Sequence, residues 1–159
     1  MKNILLIGCG HMGGSLMSGW SNSNNYTISV IDKKKYSILK KRNRNKKIKF
    51  FKSIDDINNQ NNFDYIIFAT RPLELTNVFK ELKNANFNKK SIAISVIAGK
   101  KTEIFKKNLL NISKIVRVMP NMPALIGEGV HCIYTNKSIN KKEIKEIDKL
   151  FSLSGKTLF

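Results

Sequence analysis

Lys2-Asn3-Ile4-Leu5-Leu6-Ile7-Gly8-Cys9-Gly10-His11-Met12-Gly13-Gly14-Ser15-Leu16 is the stretch whose reading decides the fold. Ile4 to Ile7 is a short apolar run, as expected of a buried strand. A glycine turn follows, and a helix opens near Met12. Gly8, Gly10 and Gly13 fit G-x-G-x-x-G. The first glycine allows the tight turn, the second lets backbone approach a pyrophosphate, and the third lets the helix lie close on the strand. The open N–H groups and positive dipole end of the helix suit phosphate. A second strand, Thr27 to Asp32, ends in an acid 19 residues after Gly13. A ribose-binding carboxylate belongs about there in a dinucleotide fold.

Outward from this start, strand and helix patterns alternate. Met12, Leu16 and Trp20 recur at helical spacing. Lys33 to Asn43 reads as a helix with Tyr36 and Leu39 as its apolar side. Ile48 to Phe51 is a short strand, and Ser53 to Ile57 carries the start signals of a short helix. Asn58 to Asn62 reads as a loop. Asp64 to Ala69 and Ser91 to Ile97 are continuous apolar runs, the pattern of parallel strands buried on both faces. Between them, Leu75, Val78, Phe79 and Leu82 follow a helical period. Thr102 to Leu110 reads as a helix and Ile115 to Met119 as a strand. Pro120 to Gly129 is a loop, Val130 to Thr135 a strand, and Ile144 to Phe151 an amphipathic helix. A last short strand fits Lys156 to Phe159. This order predicts one α/β domain over 1–159, a Rossmann-type doubly wound, mostly parallel sheet with helices on both faces. Its ligand belongs at the carboxyl ends of the strands. Gly8 to Gly13, Asp32, Thr70-Arg71-Pro72 and Ile97-Ala98-Gly99 all fall at such ends.

Composition narrows the function classes. The 159 residues carry 29 Lys+Arg against 11 Asp+Glu, a net charge of +18. Nucleic-acid binding is one reading of such a balance. Only four of the basic residues are Arg, the side chain suited to bidentate phosphate and base contacts. A Lys- and Asn-rich coding bias is the simpler reading, so no nucleic-acid partner is expected. Lys33 to Lys52, with eleven basic residues and no acid, is the one cluster that resists it. Cys9 and Cys132 form no disulfide framework, which suits a reducing cytoplasm. No apolar run approaches a membrane span, and no metal-ligand spacing appears. Cys9 reads as a small turn residue and His11 as a loop residue over the pyrophosphate. Glu128 reads as part of a Gly-Glu-Gly turn and His131 as structural.

Taken together, these punctuations resemble pyrroline-5-carboxylate reductase. Ile7-Gly8-Cys9-Gly10-His11-Met12-Gly13 is similar to the cofactor loop of that family, and Ala69-Thr70-Arg71-Pro72 stands where it usually has Ala-Val-Lys-Pro. Ser95-Val96-Ile97-Ala98-Gly99 matches a Ser-x-x-Ala-Gly stretch. Arg117-Val118-Met119-Pro120-Asn121-Met122-Pro123-Ala124 is similar to its Arg-x-Met-Pro-Asn-Thr-Pro-Ala. Arg71 in place of Lys and Met122 in place of Thr are departures.

The resemblance implies an NADPH- or NADH-dependent oxidoreductase of proline biosynthesis that delivers hydride to 1-pyrroline-5-carboxylate, giving L-proline. It implies that Ile7, Gly8, Cys9, Gly10, His11, Met12 and Gly13 wrap the pyrophosphate. Asp32 and Lys33, with Ala69, Thr70, Arg71 and Pro72, would line the adenosine and ribose side. Ile97, Ala98 and Gly99 would approach the nicotinamide, and Asn121 would lie by the nicotinamide and substrate, the nearest candidate for a catalytic position. The family also carries a helical C-terminal domain that forms its dimer and much of its substrate site. That domain is absent from these residues, so the chain is expected to be the cofactor-binding part, truncated at its C-terminal end. A homo-oligomer is expected only with that domain.

A non-catalytic dinucleotide-binding module is the alternative, and a prephenate dehydrogenase relative is a third. Asp32 favours NADH while Lys33, Lys34 and Lys35 favour the extra phosphate of NADPH. A carboxylate about 4 Å from a phosphate costs roughly 1 kcal/mol in water, and a nearby lysine offsets it. Dual use with a mild NADH preference is the expectation.

Overall fold

The computed structural model describes residues 1–159, the side chain of Leu125 excepted. The strands are β1 (Lys2–Ile7), β2 (Tyr26–Ile31), β3 (Ile48–Phe51), β4 (Tyr65–Phe68), β5 (Ile92–Ser95), β6 (Lys114–Met119), β7 (Gly129–Thr135) and β8 (Gly155–Leu158). They form one sheet in the order β3-β2-β1-β4-β5-β6-β7-β8. All pairs from β3 to β6 are parallel, β7 is antiparallel to β6, and β8 is parallel to β7. The order reverses direction at β1, which lies between β2 and β4. Ligands of open α/β sheets bind at such a switch point.

The helices are α1 (His11–Ser21), α2 (Tyr36–Arg42), α3 (Leu75–Glu81), α4 (Thr102–Asn108) and α5 (Lys141–Phe151). Strand side chains alternate between two cores. Ile4, Leu6, Val30, Ile67, Ile94 and Val116 face one side with Leu16 and Trp20 of α1 and Ile147, Leu150 and Phe151 of α5. Leu5, Ile7, Ile31, Ile66, Phe68 and Ile115 face the other with Leu75 and Phe79 of α3 and Phe105 of α4. Both faces of β1 and β4 are buried, which is why their sequences read as unbroken apolar runs. Each such side chain taken from water contributes about 1.5–3 kcal/mol before entropic costs.

Trp20 packs edge-on against Phe151 at 6.0 Å, and its Nε1–H donates to the Leu150 carbonyl at 3.1 Å. This joins the end of α1 to the end of α5 and fixes the tilt of α1 over the sheet. Phe68, Phe79 and Phe105 form a three-ring cluster on the opposite side, with centroids 5.1–5.9 Å apart.

Three segments differ from the sequence reading. The helix expected over 33–43 begins only at Tyr36, because Lys33 to Lys35 form a turn held by Asp32. The 53–57 helix is a single 3-10 turn, Ile54–Asp56, with a reciprocal Ser53/Asp56 capping box. Residues 58–62, read as loop, include a second 3-10 turn, Gln60–Asn62. No helix among the described residues is long and apolar enough to cross a membrane.

Candidate functional site: the glycine loop and its neighbours

Residues 8–10 lie between the ends of β1 and α1. Gly8 has φ +93°, and a Cβ there would stand 2.8 Å from Thr70 Cγ2 and 2.9 Å from the Ala69 carbonyl. Gly13 is closer still: its Cβ would lie 2.3 Å from the Gly8 oxygen. These two glycines are demanded by packing. Gly10 is different. A Cβ there meets nothing within 4 Å. The space before the second glycine is open, as a backbone surface that receives a ligand requires.

Gly10 is also the N-cap of α1, and no side chain caps the helix or places an acid in its first turn. Its first N–H groups thus face the open side of the loop with the positive end of an eleven-residue helix behind them. His11 is the exposed first residue of α1, and Met12 is half-buried behind it. Ile7 and Cys9 are buried. Burial, with Asp32 nearby, pushes the Cys9 thiol up to about 11, so it is a protonated packing group rather than a nucleophile.

Asp32 follows β2 directly. Its Oδ2 accepts the Cys9 N–H at 2.8 Å, and its Oδ1 accepts the Lys35 N–H at 2.9 Å. Lys35 Nζ donates to the Cys9 carbonyl at 3.2 Å. Asp32 and Lys35 therefore hold the Cys9 residue by its N–H and its carbonyl. This function of Lys35 was not visible in the sequence.

On the other side of β1, Ala69 and Thr70 lie beside the loop. Thr70 Oγ1 is buried without a hydrogen-bond partner, an orphaned hydroxyl at the edge of the glycine loop. Arg71 and Pro72 are exposed. Glu74, which sequence reasoning missed, takes both Lys34 and Arg71 as partners. Those two cations hold its carboxyl down at about 2. Lys33 is exposed and reaches Glu81 at 4.0 Å.

Further along the sheet edge, Ile97 is buried, while Ala98 and Gly99 (φ +70°) are exposed. Asn121 precedes a 3-10 turn, Met122–Ile126, and its Oδ1 accepts the Val130 N–H at 2.9 Å. That bond closes the loop between β6 and β7. Elsewhere in the basic segment, Lys40 and Lys52 lie over the Tyr36 ring, whereas Lys46, Lys47 and Lys49 line a cleft of about 550 Å³ against Thr27, Ser29 and Asn59. No cluster of three metal-ligating side chains occurs among the described residues.

Switch point, glycine loop and uncapped helix together define a dinucleotide-binding domain. Residues 3–99 match the family model described as NADP oxidoreductase, coenzyme F420-dependent, and the chain belongs to that family. The ligand class is thereby a nicotinamide dinucleotide, which the open face at Gly10 and the unpartnered Thr70 hydroxyl fit.

Among curated relatives, pyrroline-5-carboxylate reductase of Methanosarcina acetivorans is 29% identical over 154 residues, covering 97% of this chain and 57% of the relative. That of Aquifex aeolicus is 35% identical over 98 residues, covering 62% of this chain and 35% of the relative. The crystal structure of Plasmodium falciparum pyrroline carboxylate reductase with NADP bound superposes with a TM-score of 0.76 at 23% identity, over 99% of this chain and 56% of that one. The chain thus spans little more than half the length of the reductases it matches along its whole length.

Proposed function

We propose that residues 1–159 form one NAD(P)-binding domain, the cofactor-binding part of a pyrroline-5-carboxylate reductase. The single observation that carries the reading is the agreement between the open, uncapped glycine loop and relatives bearing that name over nearly the whole chain. The bound dinucleotide supplies a hydride for the imine carbon of 1-pyrroline-5-carboxylate, giving L-proline. What this chain's residues do is bind and orient. Gly10 and the first N–H groups of α1 receive the pyrophosphate. Cys9 and Gly8 shape the loop, and Ile7, His11, Met12 and Gly13 frame it. Asp32, Lys33, Ala69, Thr70, Arg71 and Pro72 surround the adenosine and ribose. Ile97, Ala98 and Gly99 approach the nicotinamide, with Asn121 beside it. The work is cytoplasmic, and any homo-oligomer depends on the family's C-terminal domain.

A non-catalytic dinucleotide-binding module is the second reading, since every feature described at the glycine loop serves binding. One experiment separates the two. NADPH and NADH are titrated into the chain by calorimetry. L-Proline formation from 1-pyrroline-5-carboxylate is then measured with and without the remaining portion of the Methanosarcina acetivorans relative added as a separate polypeptide. Dinucleotide-dependent proline in the mixture supports the reductase reading. Binding without proline supports the module. Failure to bind either dinucleotide rejects both.

A further inference from the structure

Glu74 Oε1 is shared by two cations from two different loops. Lys34 Nζ, from the turn after β2, donates to it at 2.6 Å, and Arg71 Nη2, from the turn after β4, at 2.9 Å. Because β1 lies between β2 and β4, these loops flank the glycine loop on its two sides. The adenosine end of a dinucleotide lies over this side of the switch point. The two cations are widely exposed, with side chains 71% and 74% accessible, whereas Glu74 is 34% accessible. The carboxylate sits in the gap between them.

Asp32, the acid placed near the ribose, already holds backbone. Each of its oxygens accepts a backbone N–H, one from Cys9 and one from Lys35. The side chains on this side with no backbone group to hold are the exposed cations Lys34 and Arg71. A Lys supplies a point charge and an Arg a planar fork of donors.

We propose that Lys34 and Arg71 form the cradle for the 2′-phosphate of NADPH, and that Glu74 fills that cradle as a built-in competing anion. The inference rests on the dinucleotide reading above and adds to it a specificity device. A phosphate monoester carries roughly −1.5 to −2 charge at neutral pH and three acceptor oxygens. It can bridge both cations with more charge than a single carboxylate oxygen. Glu74 lowers the apparent affinity for NADPH because, being tethered, it competes at a high effective concentration. NADH, which has no 2′-phosphate, does not need Glu74 to leave. The device holds the chain near dual use while leaving NADPH preferred. It reverses the sign of the mild preference expected from Asp32 by position alone. Since the cations hold the Glu74 carboxyl near 2, it stays ionised in mild acid and the competition persists there.

The test is a set of dissociation constants for NADPH and NADH, by calorimetry at low and physiological salt, on the wild-type chain, Glu74→Gln and the double variant Lys34→Ala/Arg71→Ala. Glu74→Gln is expected to tighten NADPH binding by about fivefold or more, as for removal of a unit charge about 4 Å away in water. NADH binding stays unchanged. The double variant is expected to weaken NADPH far more than NADH, whose adenosine Arg71 also borders, so that the NADPH advantage is lost, and to flatten the salt dependence for NADPH. Two results overturn the proposal while leaving the dinucleotide site intact. In one, Glu74→Gln leaves NADPH affinity unchanged; in the other, it tightens NADH and NADPH equally. If neither dinucleotide binds the wild-type chain, the underlying reading fails and this inference with it.

Discussion

Asp32 Oδ2 accepts the Cys9 N–H at 2.8 Å, so the end of β2 holds the middle of the glycine loop. Cys9 is buried, and its N–H loses its partner when the carboxylate is removed. Asp32→Ala is therefore expected to cost about 1–3 kcal/mol of stability, the penalty of an unsatisfied buried donor. Asp32→Asn keeps one acceptor oxygen and should fall between. Urea unfolding measures both. NADH and NADPH should weaken together, because the loop that binds either is loosened. Loss of NADH affinity alone, with unchanged stability, would make Asp32 a ribose ligand instead.

Gly13 and Gly14 provide a matched pair. A methyl at Gly13 would lie 2.3 Å from the Gly8 oxygen and 3.2 Å from Ala69 Cβ. Backbone cannot yield there without lifting α1 from β1. Gly13→Ala is expected to destabilise by about 1–3 kcal/mol or more. At Gly14 the nearest atom is Cys9 Sγ at 3.9 Å, so Gly14→Ala should be neutral or stabilise by up to about 1 kcal/mol. Thermal unfolding of the two variants checks the contrast; equal melting shifts would refute it.

His131 gives the pH dependence a sign. It is fully buried in β7, with Nε2 3.0 Å from Ser154 Oγ. The Ser154 hydroxyl donates to the Phe151 carbonyl, so the imidazole supplies the Nε2–H and its Nδ1 has no partner. Burial lowers its pKa from 6.5, partly offset by the Ser154 hydrogen bond. The folded state holds it neutral, whereas the unfolded chain protonates below about 6.5. Its contribution to stability is then complete above that pH and is lost as pH falls toward the folded value. Urea midpoints between pH 5 and 8 should decline on the acid side in the wild type. His131→Phe should remove part of that decline, and identical pH profiles would show that His131 carries none of it.

The centre of the sheet was legible because β4 and β5 are buried on both faces, and unbroken apolar runs such as Ile66 to Phe68 have few other readings. The glycine loop was legible because each of its glycines answers to a steric demand or an open approach. The start of α2 was not. Lys33 to Lys35 have helix-forming side chains, but Asp32 captures the Lys35 N–H and fixes a turn there. With none of its residues buried, α2 also lacks an apolar stripe by which to place its ends. Glu74 escaped for a different reason. It stands forty positions from Lys34, and only the strand order brings the two loops together. Nor could sequence show that Asn121 closes the β6–β7 loop through Val130, since that bond depends on how the strands turn back.

On the proposed function, the open face at Gly10 receives the pyrophosphate of a dinucleotide. Gly10 has φ −72°, a conformation ordinary residues adopt, and a side chain there meets nothing of the protein within 4 Å. Gly10→Val should therefore fold, with a melting temperature lowered only by a few degrees because valine is a poorer N-cap than glycine, while its side chain fills the space the pyrophosphate needs. The decisive measurement is the calorimetric Kd of NADPH for wild type and Gly10→Val, alongside the Tm of each. At least a tenfold loss of affinity, about 1.4 kcal/mol, in a variant that is fully folded at the temperature of the titration is the result expected. Undiminished NADPH binding by a folded Gly10→Val would contradict the site.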